Sequence, residues 1–271
     1  MKNIKKIYLD ISLLIAVHFE IKPSQLKVSI ESIFLQNSIP KQIIIIADGP
    51  INSNLSKYLS EICNKYNQIL ILNLKKNKGL AYALNYAMEK SNYELIARLD
   101  PDDEIINDRF LIQKKVFDEK SNLSICGSFI QEKSKNKSRL IQKPLTDNDI
   151  KISLKVKNPI IHSTVMFKKS CIIQVGGYPS IFKCQDYLLW VKCMEKKNTF
   201  KNLDKALVIT KLDKELMRRR NLSYFLYEKK IYEYMLQKGV INNYIFSLNI
   251  ISRFILRLLP YPLKFFLYNI R

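Results

Sequence analysis

Glycine is scarce in this chain, with 6 in 271 residues. None follows the first apolar run, where the chain reads Val17-His18-Phe19-Glu20. A dinucleotide-dependent oxidoreductase needs a GxGxxG turn there, so that class fails. The Gly-rich N-terminal loop of a sugar-nucleotide nucleotidyltransferase is missing too, which weakens that alternative. The five cysteines, Cys63, Cys126, Cys171, Cys184 and Cys193, are odd in number and no pair has CxxC spacing. This argues against a zinc site or a disulfide framework, and for a reducing compartment. No small-residue cleavage site follows the basic Met1 to Lys6 and the apolar Ile11 to Val17. That segment reads as a first core strand rather than a signal peptide. No internal repeat, low-complexity stretch or obvious linker interrupts the chain.

What the chain does have is core and charge. Its length and its 47% hydrophobic content suit one large domain or a domain with a tail. The formal net charge is +21, from 45 basic against 24 acidic residues. A charge this large implies an anionic partner. The lysines are scattered, without the concentrated stripe or known module of a nucleic-acid binder. A nucleoside diphosphate or a membrane surface therefore ranks above nucleic acid, which is not expected as a partner.

Apolar runs at Ile11 to Val17, Gln42 to Ala47, Ile69 to Leu74 and Tyr93 to Leu99 read as buried strands. Between them, Leu26, Ile30, Ile33 and Phe34, then Leu55, Leu59, Ile62 and Tyr66, then Leu80, Ala83, Leu84, Ala87 and Met88 recur at helical spacing. Strands alternating with helices predict βαβ units and a largely parallel sheet covered on both faces. Beyond Asp103 the pattern loosens. A helix is expected at Arg109 to Phe117, strands at Ser124 to Gln131, Arg139 to Lys143 and Ser163 to Lys168, and a helix at Asp186 to Lys197. Thr146-Asp-Asn-Asp149 resembles a capping box. From Asn221 the chain is helical and aromatic. We divide it into a catalytic domain, 1–220, and a helical extension, 221–271.

The most informative stretch is Asp100-Pro101-Asp102-Asp103, directly behind the fourth apolar run. A strand that ends in clustered acids delivers them to a sheet edge. Mg²⁺ usually takes one or two carboxylates plus substrate phosphates, so a metal-assisted nucleotide site is the first hypothesis. An acidic turn cornered by Pro101 is the plainer one.

With these pieces in order, the chain resembles the family 2 glycosyltransferases of bacterial surface-polysaccharide synthesis. The resemblance rests on Ser12 to Val17, Ser32-Ile-Phe-Leu-Gln36, Ile46-Ala-Asp-Gly-Pro50, Asn77-Lys-Gly-Leu-Ala81 with Leu84 and Asn85, and Ala97 to Asp103. It continues through Asp108-Arg109-Phe110, Asn158 to Met166, Gly176-Gly-Tyr178 and Gln185-Asp186-Tyr187. It implies a GT-A fold: a Rossmann-like, mostly parallel central sheet flanked by helices, with an Asp-x-Asp motif at a strand end. It also implies an inverting, metal-dependent transfer of a sugar from a nucleoside diphosphate, UDP first, to a lipid-linked glycan. Such a step belongs to capsule or lipopolysaccharide synthesis at the cytoplasmic face of the plasma membrane.

The resemblance also implies roles. Asp102 and Asp103 would hold Mg²⁺ or Mn²⁺, with Asp102 near the ribose and Asp100 in support. Asp48 would accept a hydrogen bond from the uracil ring, although Ala47 stands where many relatives carry another acid. His18 would line the base pocket. Lys78 and Gly79, before a helix, would meet the diphosphate, or form a plain helix start. Arg98 would steady the aspartates or touch phosphate, or make a structural salt bridge. Asp186 would be the catalytic base. Gln185 replaces the acid usual before it, which removes a neighbouring charge that raises a base's pKa. His162 and Trp190 are candidates for acceptor contact, with core roles as the alternative. Arg218 and Arg219 would lie near the diphosphate, or form a solvated charge run.

From Tyr244 onward there is no acid, and Ile250, Ile251, Phe254, Ile255, Leu258 and Leu259 recur at helical spacing opposite Arg253 and Arg257. Charges interrupt the segment too often for a bilayer-spanning helix. A basic amphipathic helix on an anionic membrane surface is expected, with a helix packed onto the domain as the competing reading. The alternative for the whole chain is a catalytically silent, membrane-associated assembly subunit; intact Asp102, Asp103 and Asp186 argue against it.

Overall fold

Four consecutive isoleucines, Ile43 to Ile46, are fully buried. A strand turns alternate side chains to opposite faces, so both faces here must be covered. The computed structural model, which describes residues 6–134, 137–211 and 221–270, shows what covers them. Strands β1 (Ile7–Val17), β2 (Ser38–Ala47), β3 (Ile69–Asn73) and β4 (Leu95–Arg98) pair in parallel in the order β3-β2-β1-β4. Helices α1 (Pro23–Leu35), α2 (Ser53–Lys65) and α3 (Leu80–Glu89) connect them. Ile43 and Ile45 share a core layer with Leu26 and Ile30 of α1 and Leu55 and Leu59 of α2. Ile44 and Ile46 face Ala83, Leu84 and Ala87 of α3 in a second layer. Each fully buried isoleucine stabilises by roughly 1.5–3 kcal/mol relative to exposure.

The second half adds β5 (Glu104–Ile105), α4 (Arg109–Glu119), β6 (Ile125–Lys133), β7 (Ser138–Ile141), α5 (Asp147–Leu154), β8 (Met166–Lys168), α6 (Lys169–Gln174), α7 (Gln185–Glu195) and β9 (Phe200–Lys211). The sheet continues from β4 through β8, β6 and β9 to β5, with β7 on β6. Here β8 is antiparallel to both β4 and β6, and β9 is parallel to β6. The expected Thr146 cap is present, with its hydroxyl accepting from the Asp149 N–H at 3.2 Å.

One local expectation changes. The strand expected at Ser163 to Lys168 begins only at Met166; His162–Thr164 is a 3-10 turn. Buried side chains serve the carbonyls of this segment, and that of Val165 also accepts the Arg98 N–H at 3.0 Å. Arg109 donates to the Ser163 and Val165 carbonyls at 2.9 and 3.1 Å, and Gln113 to that of Thr164 at 2.9 Å. β9 is not expected from the sequence: it carries no clean alternation because its register on β6 shifts twice around Phe129, and bulges break a period of two.

Three helices follow: α8 (Leu222–Gln237), α9 (Asn243–Leu258) and α10 (Tyr261–Ile270). Ile231, Tyr232 and Met235 of α8 join the same core layer as Leu189 and Trp190 of α7. The carbonyls at the end of α5 have no intrahelical partner and need other donors. The Tyr187 hydroxyl donates to Leu154 O, Asn249 to Lys155 O, and Tyr232 and Arg253 both to Val156 O, at 2.7–2.8 Å. Arg257 holds the buried Glu228 carboxylate through two bonds at 2.9 and 2.7 Å. This corrects the expected orientation of the tail. Arg253 and Arg257 do not form a water-facing basic side; they turn inward, because the α5 carbonyls and Glu228 are there to receive them.

Candidate active site

The carboxyl ends of β1, β2 and β4 open onto one cleft of about 1730 Å³. Ligands of open α/β sheets bind beyond these ends, and the volume exceeds that of an ordinary single-ligand pocket, roughly 300–1,000 Å³. The cleft is lined by His18, Asp48, Lys78, Gly79, Arg98, Asp100, Asp102, Asp103, His162 and Asp186. Residues that the sequence scatters over more than half the chain are thus brought together.

Asp48 locks the donor side. Its Oδ1 accepts the Lys78 N–H at 2.8 Å, tying the end of β2 to the turn before α3. Gly49 makes that approach possible: its φ is +93°, and a Cβ there would stand 2.6 Å from Asn77 N. Gly79, at φ +87°, is the N-cap of α3 and offers no side-chain cap. The first N–H groups of α3 therefore stay available to an anion. The Lys78 Nζ lies 4.2 Å from the Tyr82 ring centre. His18 is partly exposed, and its Nδ1 accepts the Glu20 N–H at 3.4 Å.

Arg98 is the buried cation at the centre. One of its Nη atoms donates to Asp100, and the other is buried without a partner among the described residues. Burial opposes its charge, but Asp100 more than offsets this, and its pKa rises. The acids around it are crowded. Burial and then the Asp100 charge push Asp103 well above the usual carboxylate range, against a Ser163 hydrogen bond. The same two causes, in the same order, raise Asp102, with Lys211 pulling it back. Asp103 is held in place by its backbone: its carbonyl accepts the Ser29 hydroxyl at 2.5 Å.

Across the cleft, Asp186 sits in the first turn of α7, and its Oδ2 accepts the Asn158 amide at 2.7 Å. The absence of an acid at position 185 does not leave its pKa low. Burial raises it, opposed by the Tyr187 N–H, Arg98 and Asn158. His162 Nε2 lies 3.0 Å from the Tyr178 hydroxyl. Burial, and then Arg98, drive the imidazole well below its ordinary pKa, so it is neutral at pH 7. Tyr178 is itself clamped by Asn85, which accepts its N–H at 2.8 Å and donates to its carbonyl at 2.9 Å. Gly177, at φ +78°, leaves room for that amide, which a Cβ would meet at 2.6 Å.

One candidate is corrected. Trp190 is fully buried and packs against Phe167 and His162, so it has no surface to offer a sugar. It lies one turn after Asp186 on a helix that is buried nearly all round, from Tyr187 through Val191 to Cys193. Arg218 and Arg219 lie outside the described residues. Sequence reasoning missed Asn158 as the partner of Asp186, and Tyr224, Glu228, Arg253 and Arg257, which also line the cleft. Asn158 stands beside Pro159 in a segment that carries the family resemblance; the helical residues carry no local signal.

Residues 12–175 match the family model described as glycosyl transferase family 2. The chain is 30% identical over 263 residues to the amylovoran biosynthesis glycosyltransferase AmsE of Erwinia amylovora, covering 95% of this chain and 97% of that one. It is also 30% identical over 261 residues to an Escherichia coli enzyme named UDP-Gal:alpha-D-GlcNAc-diphosphoundecaprenol beta-1,3-galactosyltransferase, with 95% and 94% covered. Among solved structures, the mannosyltransferase PcManGT from Pyrobaculum calidifontis, in complex with GDP-Man and Mn²⁺, superposes with a TM-score of 0.65 at 10% identity, over 90% of this chain and 69% of that one. That likeness is one of fold, and it is the GT-A fold. Together with the family match over more than half its length, this places the chain in glycosyl transferase family 2.

Proposed function

We propose that the protein transfers a sugar, with inversion, from a UDP-sugar to a lipid-linked glycan at the cytoplasmic face of the membrane. The observation that carries this is the single cleft with crowded acids at the β4 end and a hydrogen-bonded, buried Asp186 on its other wall. The similar E. coli enzyme is named for a UDP-sugar donor and a diphosphoundecaprenol-linked acceptor. On the donor side, Asp48 has one carboxylate oxygen engaged by Lys78 and a second for the uracil N–H. Lys78 and the N-terminus of α3 meet the diphosphate.

A divalent cation fits the residues present. Burial and then the Asp100 charge raise the pKa values of Asp102 and Asp103, and a nearby dication relieves that cost. Among the described residues no three His, Cys, Asp or Glu groups form a protein-only cage. An ion held by one or two carboxylates and a diphosphate needs none. Asp102 and Asp103 would hold Mg²⁺ or Mn²⁺, which when bound offsets charge on the leaving diphosphate. Arg98 keeps Asp100 oriented beside them.

Asp186 acts as general base. It takes the proton of the acceptor hydroxyl as that oxygen attacks the anomeric carbon from the face opposite the diphosphate. Asn158 fixes its carboxylate, and neutral His162, hydrogen-bonded to the buried Tyr178, lines the cleft without adding charge.

Calorimetry of UDP with and without Mn²⁺, on wild type and Asp103→Ala, tests the donor reading. Metal-dependent binding that the substitution abolishes is expected. Failure of the folded protein to bind any uridine nucleotide sinks the UDP assignment.

A further inference from the structure

α9 is inside out for a helix on a water-exposed surface. Its charged side chains and Asn249 face the protein: Asn249 and Arg257 are buried, and Arg253 reaches Val156. Ile245, Phe246 and Ile250 pack on the core, but a second apolar row faces out. Leu248, Ile251, Ile255 and Leu258 are spaced by three or four, so they share one face, and they are 49, 58, 54 and 57% exposed. Leu263 and Leu267 extend the apolar surface onto α10 at 50 and 45%. Soluble monomers rarely expose contiguous apolar patches larger than a few hundred Å² without a binding role.

We propose that the outer face of α9 and α10 docks on a lipid bilayer, lying in the membrane plane with these side chains at the headgroup–acyl boundary. Three observations select a bilayer. No acid follows Glu233 in the sequence, so no carboxylate on these helices repels anionic headgroups. A net charge of +21 opposes stacking a second copy on the same face. The inner side of α9 lines the cleft through Arg253 and Arg257, beside Tyr224 and Glu228 of α8. Docking therefore sets the part of the cleft lined by these residues beside the membrane surface. Among the described residues no helix is long and apolar enough to cross a membrane, which suits an in-plane position. The contact is apolar rather than a basic face held by charge. It rests on the lipid-linked acceptor reading only through the third observation.

The test is flotation of the full chain with vesicles of neutral phosphatidylcholine, and of phosphatidylcholine with phosphatidylglycerol, at low and high salt. Binding to both is expected, and high salt leaves binding to the neutral vesicles in place, because screening acts on charge and not on apolar burial. The exposed double substitution Ile251→Glu with Ile255→Glu should weaken partitioning by about 10-fold or more. UDP binding and the melting temperature of that variant should match wild type, which separates failure of the docking face from failure of the donor reading. The proposal is overturned by binding only to anionic vesicles that salt abolishes, by no binding at all, or by equal binding of the double variant. A dimer in sizing that the double substitution dissolves would overturn it as well, assigning the face to a second copy.

Discussion

The donor half and the C-terminal helices are both built on apolar spacing, yet their spacing means opposite things. In the donor half, Leu26, Ile30, Leu55 and Leu59 turn their apolar faces onto the sheet and are buried. In α9, Ile251, Ile255 and Leu258 turn outward and Arg257 turns in. The difference lies in what each helix finds underneath it. The sheet offers an apolar surface. The end of α5 and Glu228 offer unpaired acceptors, and a buried acceptor left without a partner costs about 1–3 kcal/mol.

That contrast can be broken from either side. The largest effect is expected at the chemistry that the two halves share. Asp186→Asn should lower kcat by about 10²–10⁴ while leaving UDP affinity unchanged by calorimetry. An unchanged kcat would move the base elsewhere. Next comes the anchor of the tail. Glu228→Gln leaves Arg257 buried without its counter-charge, and denaturant unfolding should show a loss of about 3 kcal/mol. Its UDP affinity should stay near wild type, since the donor half does not depend on that pair.

Gly49→Ala attacks the donor half instead. At φ +93°, with a Cβ 2.6 Å from Asn77 N, it should cost about 1–3 kcal/mol of stability. It should also weaken UDP binding, by moving the Asp48–Lys78 clamp. Equal loss of binding in Glu228→Gln and Gly49→Ala would erase the distinction between the halves. The smallest effect is a shift in pH dependence. Burial holds the Asp186 pKa above the ordinary carboxylate value, and activity is lost as pH falls through it. The Asn158 bond favours the charged form, so Asn158→Ala should raise that pKa further. The acid limb of kcat/KM then moves to higher pH by about one unit or less.

Legibility in the sequence tracked locality. The acids at 48 and 100–103 were readable because each directly succeeds an apolar run, and a strand carries the residues at its carboxyl end to a sheet edge. The cap at Thr146 was readable because donor and acceptor are three residues apart. β9 was not, because its bulges are set by the partner strand. Trp190 was ambiguous, since residues 186 and 190 share a helical face in sequence but only one of them meets the cleft. Asn158 gained its role from Asp186, 28 positions away, and no local pattern announces such a bond.

By itself the sequence determined the alternation of buried strands and helices, the acids at the strand ends and the family. These rest on periodicity and on residues close along the chain. Only the tertiary structure decided which face of α9 is covered, which carboxylates crowd around Arg98, and that burial rather than a neighbouring acid raises Asp186. Those outcomes depend on desolvation and on partners distant along the chain, and both exist only once the core has closed.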